Sequence, residues 1–288
     1  MSSHDAEHNP ATPKLYIWNG DLLFLGTSRL SHRAHRIVQE KLFVCLEGSF
    51  SLRSPDGSRI RTRSCLLRNG LMLDKTLLEG RDTIVAVYYL APFSQDYPAL
   101  ASIMTEAASG LLYDHPQEDA LIQQMLALRD GPDCSPQDAR QLVRDLMLPS
   151  NVANRVFQEF DPRALEVVRR IQTSLSENLS LSDLAASVHL SDSRLEKLFK
   201  DQSGLPITQH RLQQRVFWSV VMLALGFSVT DAALITGFSN AAHFSRSFRA
   251  INGLTPSTPF MKPPFLKTFV DEALVKRVEL ITHRQLAS

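Results

Sequence analysis

Between Lys14 and Pro92 the chain alternates short apolar runs with turn formers. Tyr16-Ile17-Trp18, Leu22 to Leu25, Lys41 to Leu46, Ser49 to Arg53, Arg59 to Arg63 and Thr83 to Leu90 are rich in β-branched and aromatic residues. Asn19-Gly20-Asp21, Glu47-Gly48, Pro55-Asp56-Gly57 and Asn69-Gly70 separate them. Short strands with turn signals every ~8–12 residues predict a small barrel or sandwich. The period then changes. Ala99 to Leu112 and Glu118 to Arg129 read as helices, and Pro136 to Leu148 places Ala139, Leu142, Val143, Leu146 and Met147 at helical spacing. Gly131-Pro132-Asp133 breaks the last two into an antiparallel pair. The polar stretch 149–162, ending in Asp161-Pro162, marks a domain boundary. Helices fill the remainder to about Phe260, and Leu266 to Leu286 makes one more amphipathic segment.

An internal repeat dominates the last third. Arg194 to Lys200 aligns with His243 to Arg249, Ser203 to Pro206 with Asn252 to Pro256, and Ser182 to Ala185 with Thr230 to Ala233. Each copy opens a short helix with a Ser or Thr cap before an Asp (Ser182-Asp183, Thr230-Asp231). Each then carries a small residue for a close crossing (Ala185, Ala233), a tight turn, and a second helix from Asp192 or Asn240. Leu195, Leu198 and Phe199 in copy one, and Phe244 and Phe248 in copy two, face the core. Ser193, Arg194, Glu196, Lys197 and Lys200 then point outward, as do Ala242, His243, Ser245, Arg246 and Arg249. That grammar is the helix-turn-helix, twice, over about 181–203 and 228–252.

The outward sets are short, polar and basic, as a helix in a DNA major groove requires; Asn240 joins them at the helix start. Glu196 either pairs with Lys200 at i+4 or accepts from a cytosine amino group. Between the copies, Thr208 to Leu225 reads as one helix whose last turns are apolar on nearly every side, which predicts burial between the two motifs.

Charge sharpens the picture. The net charge of +1 over 288 residues conceals a segregation: residues 163–265 hold eleven Lys and Arg against seven Asp and Glu, and residues 101–162 hold four against ten. A basic C-terminal block suits a polyanionic partner. At 44% hydrophobic and 21% charged the chain has the composition of a folded protein with real cores. The apolar run Val216 to Phe227 falls short of the ~18 residues of a membrane span. Cys45, Cys65 and Cys134 are too few and too scattered for a disulfide framework.

The stretches Leu181 to Ala186, Ser191 to Gly204, and Gly237 to Arg249 followed by Gly253 to Pro256 resemble the AraC/XylS family of bacterial transcription regulators. The resemblance covers about 163–263. It implies base-reading positions at Ser193, Glu196, Lys197, Ala242, His243 and Arg246, double-stranded promoter DNA and RNA polymerase as partners, and a cytoplasmic, non-enzymatic regulator. His189 stands where the family's first turn has Gly. Family members often carry an N-terminal cupin-like barrel that binds a small effector, followed by dimerising helices. The expected fold class is therefore two-domain. Residues 1–13 form a disordered N-terminus, 14–98 a cupin-like β-barrel and 99–148 a helical segment, with a homodimer formed through 118–148. A linker (149–162), an all-α tandem helix-turn-helix domain (163–263) and a tail (264–288) complete it.

For the effector, His32 and His35 with Gln39 and Glu47 are similar to a cupin metal motif, but no third His follows, so neither a metal nor a cofactor is expected. Arg59, Arg61 and Arg63 alternate along a strand and point one way, either as a solvated face or as a rim for an anionic effector. No catalytic constellation is present in the sequence. Two alternatives stand beside this reading: a regulator whose N-terminal domain binds a protein, and a cupin enzyme with an appended DNA module.

Overall fold

The computed structural model describes residues 12–18, 20–28, 35–53, 57–73, 78–79, 83–108, 110–175, 179–252, 255–256, 260 and 266–286. Residues 1–11 of the expected N-terminal tail, and His32, lie outside these residues.

The N-terminal half is built on one eight-stranded sheet. Its strands are β1 (Lys14–Ile17), β2 (Leu22–Ser28), β4 (Lys41–Cys45), β7 (Ser64–Leu67), β10 (Thr83–Tyr89), β11 (Thr105–Ala108), β12 (Leu111–Tyr113) and β13 (Lys267–Val270). They lie in the order β11-β12-β7-β4-β10-β2-β1-β13. Two small sheets accompany it: β5 (Phe50–Arg53) between β6 (Arg59–Thr62) and β9 (Leu78–Glu79), and β3 (His35–Arg36) with β8 (Met72–Leu73).

Side-chain alternation gives the large sheet two apolar faces. On one, Tyr16, Leu23, Leu42, Leu66 and Tyr88 pack against α2 (Glu118–Asp130) and α3 (Pro136–Met147) through Leu121, Met125, Ala139, Val143 and Met147. Part of the other face is covered by the small sheets, where Phe43, Cys45, Leu67 and Val87 meet Ile37, Phe50, Leu52 and Leu73. The rest, Leu15, Ile17 and Leu22, is covered by the C-terminal helices.

Three expectations are corrected. The sheet is open: β11 and β13 are its edges, so there is no closed cupin-like barrel among the described residues. Closure is unnecessary because the small sheets and, at the β1–β2 end, the C-terminal helices bury the apolar surface that a barrel would turn inward. Ala99 to Leu112 is not one helix: α1 covers Asp96–Ala101, and β11 and β12 form a hairpin. Gly110 turns that hairpin at φ +84°, and β12 pairs with β7, so sheet pairing overrides the helical preference of an Ala-rich stretch. The tail is not one amphipathic segment: β13 joins the N-terminal sheet parallel to β1 before the final helix α11 (Glu272–Leu286), whereas the described residues of 163–263 form helices only, as expected.

The remaining helices are α4 (Ser150–Ala153), α5 (Pro162–Thr173), α6 (Leu181–Ala186), α7 (Asp192–Ser203), α8 (Ile207–Ala224), α9 (Val229–Ile235) and α10 (Ala241–Asn252). No helix among the described residues is long and apolar enough to cross a membrane.

Candidate nucleic-acid interface

In the first unit, α6 is opened by Ser180, whose hydroxyl accepts from the Asp183 backbone N–H at 3.0 Å while the Asp183 carboxylate accepts from the Ser180 N–H at 2.9 Å. Ser228 opens α9 in the same way, accepting from the Asp231 N–H at 3.1 Å. The caps thus lie two residues upstream of Ser182 and Thr230, which puts each Asp at the third helical position, where a capping box needs its acid. Ser182 instead donates to Asp192 at 2.7 Å, tying α6 to the start of α7.

The turns are alike despite their sequences. His189 takes φ +56° and Gly237 takes φ +85°, so the imidazole-bearing residue holds the left-handed turn that glycine holds in the second unit. Gly237 has a further constraint, because a Cβ there would lie 2.8 Å from the Leu175 carbonyl oxygen.

On α7, Leu195 and Phe199 are buried, and Ser193, Arg194, Glu196, Lys197 and Lys200 are exposed. Glu196 and Lys200 form no ion pair with each other among the described residues. On α10, Phe244, Ser247, Phe248 and Ile251 are buried, and Ala242, Arg246 and Arg249 are exposed. Asn240 is the cap of that helix, its amide oxygen accepting from the His243 N–H at 2.8 Å. His243 and Ser245 are half-buried. The His243 ring stands edge-on to Phe238 at 5.2 Å, and its Nδ1 lies 3.2 Å from the Ser239 hydroxyl, so it is the least free of the outward residues.

The connecting helix α8 is buried as expected, with Val216 to Leu223 inside the cluster that holds Ala232, Ala233, Phe244 and Phe248. Its first turn belongs to a separate cluster with Val167, Leu184, Leu195 and Phe199. The two units therefore centre on different clusters joined by one helix, and the second cluster also takes in Leu175 and the sheet residues Leu15, Ile17 and Leu22.

A family model of the helix-turn-helix domain matches residues 184–260. The Escherichia coli arabinose operon regulatory protein is 30% identical over 99 residues, 34% of each chain. Regulator RipA of Corynebacterium glutamicum is 31% identical over 98 residues, and GbdR of Pseudomonas aeruginosa 28% over 96. Residues 184–260 carry the helix-turn-helix domain found in these AraC-type regulators. The chain spans 26–34% of the length of these curated relatives, and the matches are domain-sized. The AraC-type domain accounts for a third of the chain; the whole fold has a different likeness. ToxT of Vibrio cholerae, in a variant solved without ligand, overlays 84% of this chain and 97% of its own with a TM-score of 0.56 at 16% identity. ToxT solved with an unsaturated fatty acid overlays 87% of this chain with a TM-score of 0.51 at 12% identity. These likenesses show a shared two-domain fold.

The sequence-derived effector residues do not converge. His35 begins β3, and its side chain lies outside the described residues. Arg59 and Arg61 are exposed on β6, and Arg61 Nε donates to Ser49 at 2.7 Å. Strand β6 ends at Thr62, so Arg63 leaves the alternation and pairs instead with Glu118 at 3.0 Å and with Asp119. An open cleft of about 360 Å³ lies there, but Asp114 and Glu118 line it beside Arg61 and Arg63 and cancel their charge.

A cation that the sequence reading passed over stands elsewhere. Lys41 is 3% exposed, on the face of β4 that also carries Phe43 and Cys45. Its Nζ sits 4.6 Å from the centroid of the Tyr89 ring, and no carboxylate reaches it among the described residues. Burial pushes the amine down to about 8. Lys14, equally buried, donates to the carbonyls of Leu128 and Gly131 at 2.9 Å and lies 3.5 Å from Asp133. Only the contrast in partners separates the two. The signal in the sequence was a charge opening the apolar strand Lys41 to Cys45.

Proposed function

We propose that the chain is a sequence-specific DNA-binding transcription regulator whose α7 and α10 enter neighbouring major-groove segments. The observation that carries this reading is the pairing of two units centred on different clusters, each with a capped first helix, a left-handed turn and a second helix whose cations are exposed and form no ion pair among the described residues. Arg194, Lys197 and Lys200 on α7, and Arg246 and Arg249 on α10, serve base edges and phosphates. Glu196, with no ion pair to Lys200, is free to accept from a cytosine amino group. The test is titration of a promoter fragment by fluorescence anisotropy. Lys197→Ala and Arg246→Ala each lower specific affinity by ~1–3 kcal/mol. Unchanged affinity in both variants contradicts the assignment.

The N-terminal domain is read as the effector sensor. A buried ammonium without a counter-ion costs several kcal/mol, which an anionic ligand would offset. Phe24 and Tyr89 pack both on the sheet's own interior and on the cluster of the DNA-binding domain, so the Lys41 site lies at the joint. ToxT, solved with an unsaturated fatty acid, supplies the chemical class: an anionic head on an apolar body. Pairing of two chains through the outer faces of α2 and α3, where Leu142 is exposed, and contact with RNA polymerase belong to the same reading.

A further inference from the structure

The two helix-turn-helix units are attached to the sensor in different ways. The second is welded. Leu15, Ile17 and Leu22 of the sheet share a core with the end of α8 and with α9, α10 and α11. Strand β13 pairs with β1 along its length, Phe269 stacks on Tyr16 at 4.6 Å, and Thr268 donates to the Ala224 carbonyl at the end of α8. Even there Trp218 leaves its indole N–H without an acceptor, yet the joint is closed by an apolar cluster and a strand ladder.

The first unit is held by a smaller and less comfortable joint. Phe93, in the turn after β10, lies 5.3 Å from Phe199 of α7, 5.8 Å from His210 of α8 and 5.3 Å from Phe160 of the linker. It does so at φ +58°, a left-handed backbone that a bulky side chain rarely adopts. Its turn is pinned on both sides: Asp21 accepts from the Ala91 N–H at 2.6 Å, and Gln95 accepts from the N–H groups of Phe157 and Gln158. His210 is fully buried in this aromatic cage, and neither ring nitrogen has a hydrogen-bond partner among the described residues. Burial holds its imidazole down to about 4, hence neutral. At the end of α7, Asn69 donates to the Ser203 carbonyl at 3.3 Å while its own amide oxygen is buried without a donor among the described residues. Gln158 and Asp161 of the linker complete the attachment through Gln202, and Arg277 reaches the Gln172 carbonyl of α5. Strain and orphaned polar atoms gathered at one joint mark a contact that is kept only marginally closed.

We propose that the packing of Phe93 on His210 and Phe199 is a release latch. Closed, it holds the first helix-turn-helix unit, residues 162–206, on the sensor; open, it lets that unit turn about the start of α8 and about Leu175, which stays buried in the second unit's cluster with its carbonyl accepting from Arg215, into register with DNA while the second unit stays fixed. The DNA consequence rests on the regulator reading above, whereas the opening itself does not.

Two variants of the full chain push the latch in opposite directions. Phe93→Ala removes the wedge and the strained bulky residue. His210→Phe keeps a ring in the cage but removes both orphan nitrogens. Amide hydrogen exchange and anisotropy on one promoter fragment are read together. Phe93→Ala is expected to speed exchange at least threefold across α5 to α7, leave β1, β2, α9 and α10 unchanged, and tighten DNA binding at least threefold. His210→Phe is expected to slow exchange in the same helices and weaken DNA binding. Exchange in α5 to α7 that responds to neither variant, or DNA affinity that moves the same way in both, overturns the latch. Should Phe93→Ala not fold, the His210→Phe exchange pattern decides alone. If even the native chain ignores promoter sequence, the regulator reading has failed and exchange still judges the latch.

Discussion

Individual residues carry the clearest consequences. His189 occupies a left-handed conformation that costs about 1 kcal/mol for a residue with a Cβ, so His189→Gly should raise the unfolding free energy read from chemical denaturation by up to that much. Gly237→Ala should lower it, through backbone strain and through the close approach to Leu175. Asp21 gives a pH dependence. Burial first, then the neighbouring Asp96, pushes its carboxyl up to about 6, against the Ala91 N–H, Arg140 and Arg144. The folded state therefore favours the protonated form. The stability this group contributes is full below its ordinary range near 4 and is lost as pH rises through 6. Relative to Asp21→Asn, the native chain should lose about 3 kcal/mol between pH 3 and pH 7, read by urea titration at each pH. At this scale the sequence showed which side chains of α7 and α10 would point outward, because helical periodicity decides that. It did not show the partners of Lys41, Phe93 or His210, which come from strands and helices far apart in the chain.

At the scale of elements, local chemistry predicted most of what formed. Pro136 and Pro162 open their helices, with Ser135 and Asp161 as caps, and the strand runs from Lys14 to Leu90 appear where their alternation put them. Failures came where tertiary pairing outvoted propensity. Thr105 to Tyr113 is helical in composition but became a hairpin because β7 offered an unpaired edge, and Lys267 to Val270 became a strand because β1 did. The caps were misplaced by two residues because Ser180 and Ser182, like Ser228 and Thr230, are interchangeable by type until the acid's position is known. Ser180→Ala and Ser228→Ala should each cost about 1 kcal/mol in thermal or chemical unfolding, whereas Ser182→Ala and Thr230→Ala should cost less. Equal losses at all four positions would contradict the capping assignment.

For the whole molecule, the open sheet and the helical domain explain each other: each buries a face that the other would expose. A barrel expectation from strand count alone had no means of seeing that a domain 200 residues later supplies the cover. The same arrangement puts Lys41 at the joint. Lys41→Met keeps the length of the side chain and removes the charge. It should stabilise the chain without ligand and abolish any rise in melting temperature given by octanoate over octanol. A variant that still prefers the carboxylate would place the anion site elsewhere.

The central claim is that two rigid units read one DNA face a helical turn apart, about 34 Å. Dimethyl sulfate protection of the promoter in the complex tests it most directly. The account predicts two clusters of protected major-groove guanines spaced by one turn, with Lys197→Ala erasing one cluster and Arg246→Ala the other. A single cluster, or one weakened equally by both substitutions, would contradict it.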